Sequence, residues 1–179
     1  GVAVYLITRK KGSKKSFWTA KTMAVGAMCM ALSSVLSLIK LWPMPMGGSV
    51  TPASMLPLLL FAYCYGVGPG MVLGALYGVM QFLLDGMAWA ALGAIPNLLD
   101  YPIAFGLLGL AGCFRGSKAK MTAGFVLGCF GRFMASFLSG FIFYGQYAPE
   151  GVNPVWYSLT YNGSYMLVEC IICIVLGLL

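Results

Sequence analysis

Polar side chains recur at helical spacing inside three apolar stretches of this 179-residue chain, and any chemistry must be sought among them. One stretch carries Asn97, Asp100, Tyr101 and Ala104. The next carries Arg132, Ser136, Ser139 or Gly140, then Phe143 and Tyr144. The last carries Tyr157 and Tyr161 on one face, with Ser158, Asn162, Tyr165 and Glu169 on the adjoining one. Separations of three, four, seven and eleven residues stack each set on one side of its helix. A carboxylate among ring faces and amides suits a flat, cationic, nitrogen-rich ligand. The acid balances the charge, each ring adds about 0.5–2 kcal/mol of cation–π attraction, and the Asn162 amide offers both donor and acceptor. Asp100 and Arg132 have a second reading, as an ion pair that only fixes the bundle. Tyr147 and Trp156 read as an interfacial belt.

Composition sets what must hold these groups in place. Hydrophobic residues make up 60% of the chain and charged residues 8%, where ordinary domains carry roughly a quarter charged. Lipid is therefore the solvent. The net charge of +7 gathers in Arg9 to Lys21 and in Arg115, Lys118 and Lys120. Clusters beside apolar runs indicate membrane orientation and contact with anionic lipid rather than nucleic acid. Histidine is absent, which excludes histidine metal sites and serine–histidine triads. Cys170-x-x-Cys173 lies inside an apolar run and reads as packing. No G-x-x-x-x-G-K-[ST] loop is present, so an ATPase is not expected from these residues. Neither a cofactor nor a metal is expected.

The apolar runs predict an all-α membrane domain over 17–179 with six spans: about 17–39, 53–65, 69–85, 93–114, 121–145 and 155–179. Residues 1–16 read as a basic leader. Thr51 is expected to cap the short second span, with Pro52 at its first position. An even span count puts both basic clusters, and both termini, on the cytoplasmic side. Asn97, Asp100, Tyr144, Tyr157 and Asn162 then fall in the outer half, as a pocket open outward. Gly70, Gly74 and Gly78, like Ala27 and Ala31, have the small-residue spacing of close helix contacts. The stretch Trp42 to Thr51, with Pro43, Pro45, Gly47, Gly48 and Ser49, reads either as a lid or as a plain connector.

Several strings carry a family resemblance from about Ala24 to the C-terminus. They are Met44-Pro45 with Gly47-Gly48-Ser49-Val50; Leu98-Leu99-Asp100-Tyr101-Pro102 with Ala104-Phe105 and Gly109-Leu110-Ala111-Gly112; Gly131-Arg132-Phe133; Phe137-Leu138-Ser139-Gly140; Tyr147-Ala148-Pro149-Glu150-Gly151; and Tyr157-Ser158 with Tyr161-Asn162-Gly163-Ser164-Tyr165. In these the chain resembles the thiamine-specific S components, the substrate-binding subunits, of energy-coupling factor (ECF) transporters in the plasma membrane of Gram-positive bacteria. The resemblance implies thiamine as ligand, bound from outside without enzymatic turnover. It also implies partners: two ATPases and a transmembrane coupling subunit docking on Ala27 and Ala31. By that pattern Asp100 and Tyr101 contact the ligand, Arg132 lies near the acid, Tyr144 stacks, and Tyr157 and Asn162 complete the site. With Ser136 and Ser139 from the polar stripe, these form the candidate substrate-binding set, and Trp42, Gly47, Gly48 and Ser49 form the candidate lid. The family commonly has histidine at Ser136, and several members have glutamate at Asp100 and tryptophan at Tyr144. The remaining alternatives are another vitamin or a thiamine precursor as ligand, an enzyme acting on lipid, and a purely structural subunit.

Overall fold

The computed structural model describes residues 18–44, 48–149 and 151–179. The expected leader, 1–16, and residues Pro45, Met46, Gly47 and Glu150 lie outside these. The described residues form a bundle whose main helices are α1 (Ala20–Leu38), α2 (Leu56–Tyr65), α3 (Val67–Gly86), α4 (Ala94–Cys113), α5 (Lys118–Phe143) and α6 (Pro154–Leu178). All but α2 are long and apolar enough to cross a bilayer. Local sequence explains their starts. Thr19, Ser117 and Asn153 each accept a backbone N–H of the first turn, from Thr22, Lys120 and Val155. Pro154 opens α6, where a missing N–H costs nothing.

The second span departs from expectation at its start. Its helix begins at Leu56, with Pro57 in the first turn, and Thr51 does not cap it: the Thr51 hydroxyl accepts the Ser54 N–H at 3.1 Å in the turn before. Ten residues reach only about 15 Å, roughly half the hydrocarbon thickness. The other half is crossed by an irregular stretch following the two-stranded hairpin Trp42–Pro43/Ser49–Val50. Thr51, Ala53, Ser54 and Met55 are all buried there. Backbone without helical bonds survives at this depth because protein rather than lipid surrounds it. Ala53 adopts φ +66, which costs an alanine about 1–2 kcal/mol. The turn is held by its surroundings rather than by its own preference. At the other end, Gly66 (φ +100) breaks the chain between α2 and α3, its N–H still bonded to the Ala62 carbonyl at 2.7 Å.

Helix α3 packs on α4 through its glycine stripe. A Cβ on Gly78 would lie 2.8 Å from Pro102 Cα, one on Gly74 3.1 Å from Gly106 Cα, and one on Gly70 3.1 Å from Gly109 Cα. The spacing of four thus marks an internal seam of backbone against backbone. Along this seam α4 is not regular: Pro102 sits inside a wide π turn over Leu99–Ile103, where it removes one backbone donor.

Cross-links fix the relative directions. Lys118 Nζ donates to the Leu178 carbonyl at 3.1 Å, and the Arg115 guanidinium donates to the Cys64 carbonyl. The basic loop, the end of α2 and the C-terminal end of α6 therefore share one end of the bundle. At the opposite end, Lys40 Nζ bridges to Asp85 at 2.9 Å, joining the chain after α1 to the end of α3. The hairpin lies at this second end.

Candidate functional site

The hairpin end of the bundle encloses a cavity of about 130 Å³, open at its mouth. Its walls come from every helix but α2, and the stretch before α2 completes them. Of the candidate binding residues, Asp100, Tyr101, Arg132, Ser136, Tyr144, Tyr157 and Asn162 all line this one space, as do Gly48 and Ser49 of the candidate lid. Ser139 stands behind the wall, fully buried, and donates its hydroxyl to Asp100 Oδ2 at 2.7 Å. It orients the carboxylate rather than facing the cavity. Trp42 is 68% exposed in the first hairpin strand and lines nothing. Gly47 lies outside the described residues.

Helices α5 and α6 meet through polar groups. Asn162 Nδ2 donates to the Ser158 carbonyl at 3.0 Å and its Oδ1 accepts from Tyr165 Oη at 3.1 Å. Ser158 Oγ donates to the Phe137 carbonyl at 2.8 Å. Gly140 makes room for this joint, since a Cβ there would meet Asn162 Nδ2 at 3.1 Å. The amide is therefore mostly spent on fixing the wall, with one carbonyl lone pair left for a ligand. Tyr157 and Tyr161 stack at 6.0 Å along α6. Over them comes the hairpin: Gly48 N–H donates to Tyr161 Oη at 3.0 Å, and a Cβ at Gly48 would lie 2.9 Å from Tyr165 Cε1. Only glycine lets the loop sit so close.

Three expectations need correction. Helical spacing puts Asn97 with Asp100 on one face, but its side chain turns away, donating to the Gly93 carbonyl at 2.7 Å and lining a separate apolar groove with Val79, Phe82 and Pro102. The π turn between them widens the spiral, so the simple three-residue rule fails there. The ion pair considered for Asp100 and Arg132 is not formed. Arg132 Nη1 lies 3.9 Å from Glu169 Oε2, and its guanidinium rests over Phe105 at 4.0 Å from the ring centre. Thr51, expected as a cap, instead donates to Glu169 Oε1, which also accepts from Ser54 Oγ at 2.9 Å. Thr51, Ser54, Gln81, Phe105 and Glu169 are cavity residues absent from the candidate set. Glu169 alone had a signal, as an acid seven residues beyond Asn162 on the polar stripe.

The charge balance decides what the cavity can hold. Its lining carries three carboxylates, Asp85, Asp100 and Glu169, against the one guanidinium of Arg132. Lys40 matches Asp85, and Arg132 leans toward Glu169. Asp100 has no ion-pair partner among the described residues. It faces the cavity between Tyr101 and Tyr144. A cation with aromatic faces would satisfy both features at once.

On the outside of the bundle, Ala27 and Ala31 lie on an exposed face of α1, opposite the buried Gly26, Ser33 and Ser37. Tyr147 and Trp156 are exposed, as an interfacial belt requires.

Comparison with known proteins matches residues 23–179 to the family model described as Thiamine transporter protein (Thia_YuaJ). The thiamine transporter ThiT of Bacillus subtilis (strain 168) is 40% identical, over 76% of this chain and 77% of that protein. The thiamine transporter ThiT of Lacticaseibacillus paracasei is 31% identical, over 87% of this chain and 82% of that protein. Among solved structures, ThiT from Listeria monocytogenes superposes with a TM-score of 0.77 at 22% identity, covering 88% of this chain and 91% of that one. The S component of a bacterial ECF transporter superposes at 0.60 and 20% identity, covering 88% and 93%. These two establish a shared six-helix membrane fold.

Proposed function

Because the chain belongs to the thiamine transporter family, we propose that its cavity captures thiamine and that the protein is the substrate-binding S component of an ECF importer in the cell membrane. One observation carries the assignment of the site: Asp100, braced by Ser139, faces a tyrosine-lined cavity with no cation among the described residues paired to it. Thiamine brings a permanently charged thiazolium and a flat aminopyrimidine. Asp100 supplies the countercharge, Tyr101, Tyr144 and Tyr157 offer ring faces or hydroxyls, and the free lone pair of Asn162 takes an N–H. Hydrogen bonds and charge complementarity of this kind need no covalent step, which suits a binding subunit.

Import against a gradient needs energy, and the chain has no phosphate-cradling loop. Two ATPases and a membrane coupling subunit supply that work in this reading, and the exposed Ala27–Ala31 face of α1 supports close helix docking. The shared end of Arg115, Lys118 and the C-terminal end of α6 faces the cytoplasm by the positive-inside rule. The cavity then opens outward.

The test is binding by the purified chain alone, in detergent and without ATP. Calorimetry should give one thiamine per protein, and thiamine at a hundredfold its Kd should stabilise the fold by about 2.7 kcal/mol. A competition series with riboflavin, biotin, pyridoxine and the isolated aminopyrimidine assigns the ligand. Stabilisation by one of these and not by thiamine would overturn the choice of vitamin.

A further inference from the structure

Glu169 is 1% exposed, seven residues along α6 from Asn162, and so about 10 Å deeper in the bundle. A carboxylate at that depth is costly to keep, and this one stands at the floor of the cavity. What it touches is informative. Oε1 accepts the hydroxyls of Thr51 and Ser54, and Oε2 faces the guanidinium of Arg132 at 3.9 Å. The hydroxyls leave the carboxylate little freedom to move, because both belong to the buried turn containing the strained Ala53. Arg132, in contrast, is loosely held: its Nε and Nη1 are buried with no acceptor. Its side chain is long and lines the same cavity as Asp100. One helical turn, about 6 Å, separates it from Ser136, which stands beside Asp100.

A guanidinium with unsatisfied N–H groups is drawn to the nearest available carboxylate. If it reached Asp100, it would form the ion pair that the structure lacks and consume the charge that a cationic ligand needs. We infer that Glu169 is a positioning residue that holds Arg132 away from Asp100 and so keeps the binding carboxylate open for a cation. The inference rests on the reading of the cavity as a thiamine site. Charge opposite Arg132 is the operative property, and the hydroxyls of Thr51 and Ser54 fix where that charge stands.

The experiment is a thiamine-binding cycle on the full chain in detergent: wild type, Glu169→Gln, Arg132→Met and the double variant. Gln keeps an acceptor for the two hydroxyls and removes the charge, so affinity should fall at least tenfold. In the double variant no guanidinium is left to occupy Asp100. Its affinity should return to within about threefold of Arg132→Met alone. Part of the loss would thus be rescued by a second substitution, which a role in packing alone would not permit. Unchanged affinity in Glu169→Gln, or a double variant no tighter than that single one, overturns the inference and leaves the thiamine reading intact. Wild-type protein that binds no thiamine overturns both. Should Glu169→Gln fail to fold, Glu169→Asp withdraws the carboxylate by one methylene and should show a smaller loss with the same rescue; its absence is equally decisive.

Discussion

The α3–α4 seam and the α5–α6 joint hold the same bundle together by opposite means. Along the first, Gly70, Gly74 and Gly78 bring backbone onto backbone, with the Met71 side chain and the Tyr77–Phe105 ring pair filling in beside them. Along the second, Ser158, Asn162 and Tyr165 form a hydrogen-bonded wall, with Gly140 as the one concession to closeness. The difference separates frame from instrument. Backbone packed on backbone through glycine leaves few alternative arrangements and gives the cavity a rigid back. A joint of amides and hydroxyls has spare hydrogen-bonding capacity and can respond to what lies against it.

Substitutions on the two sides should therefore fail in different ways. The largest effect is expected for Gly78→Val. Any side chain there collides with the Tyr101–Pro102 backbone, and overpacking against backbone costs about 3 kcal/mol or more. Thermal unfolding of the ligand-free protein should show a loss that saturating thiamine does not abolish. A Gly78→Val protein that melts like wild type would remove the claim of a rigid back.

Next comes Asp100→Ala, on the cavity wall. Loss of a buried, hydrogen-bonded charge partner costs about 3 kcal/mol of binding, roughly a hundredfold in Kd. The ligand-free protein should melt no lower, because an unpaired buried carboxylate is itself unfavourable. Calorimetry and thermal unfolding together separate the two quantities, and intact thiamine affinity would move the site elsewhere. The smallest effect belongs to Ser139→Ala, which removes one hydrogen bond to Asp100. About 1 kcal/mol, or some fivefold in Kd, is expected. A loss as large as that of Asp100→Ala would mean that Ser139 touches ligand.

Much of this contrast was legible beforehand, for physical reasons. Apolar runs with polar breaks fix helices in lipid almost by themselves, so the number and order of spans followed from Lys40, Gly66, Arg115 and their neighbours. The glycine stripe announced a seam, and the polar stripes of α5 and α6 announced a wall. What escaped depends on partners distant in sequence. Thr51 followed by proline has the local form of a helix start, but Glu169, 118 positions later, takes its hydroxyl instead. Asn97 and Asp100 share a face only on a regular helix, and the π turn around Pro102 removes that condition. Arg132 had two acids within plausible reach, and no spacing rule selects between acids on different helices.

One consequence lies in what closes the cavity from below. Beyond Arg132 and Glu169 the interior is filled by Met55, Leu59, Phe61, Leu108 and Phe125, none more than 2% exposed. A vestibule with a solid floor behaves as a cup and not as a conduit: raising its cover returns the cargo to the side it came from. Delivery to the far side requires packed helices to shift against one another, so the same density that makes capture secure makes release the step that demands work.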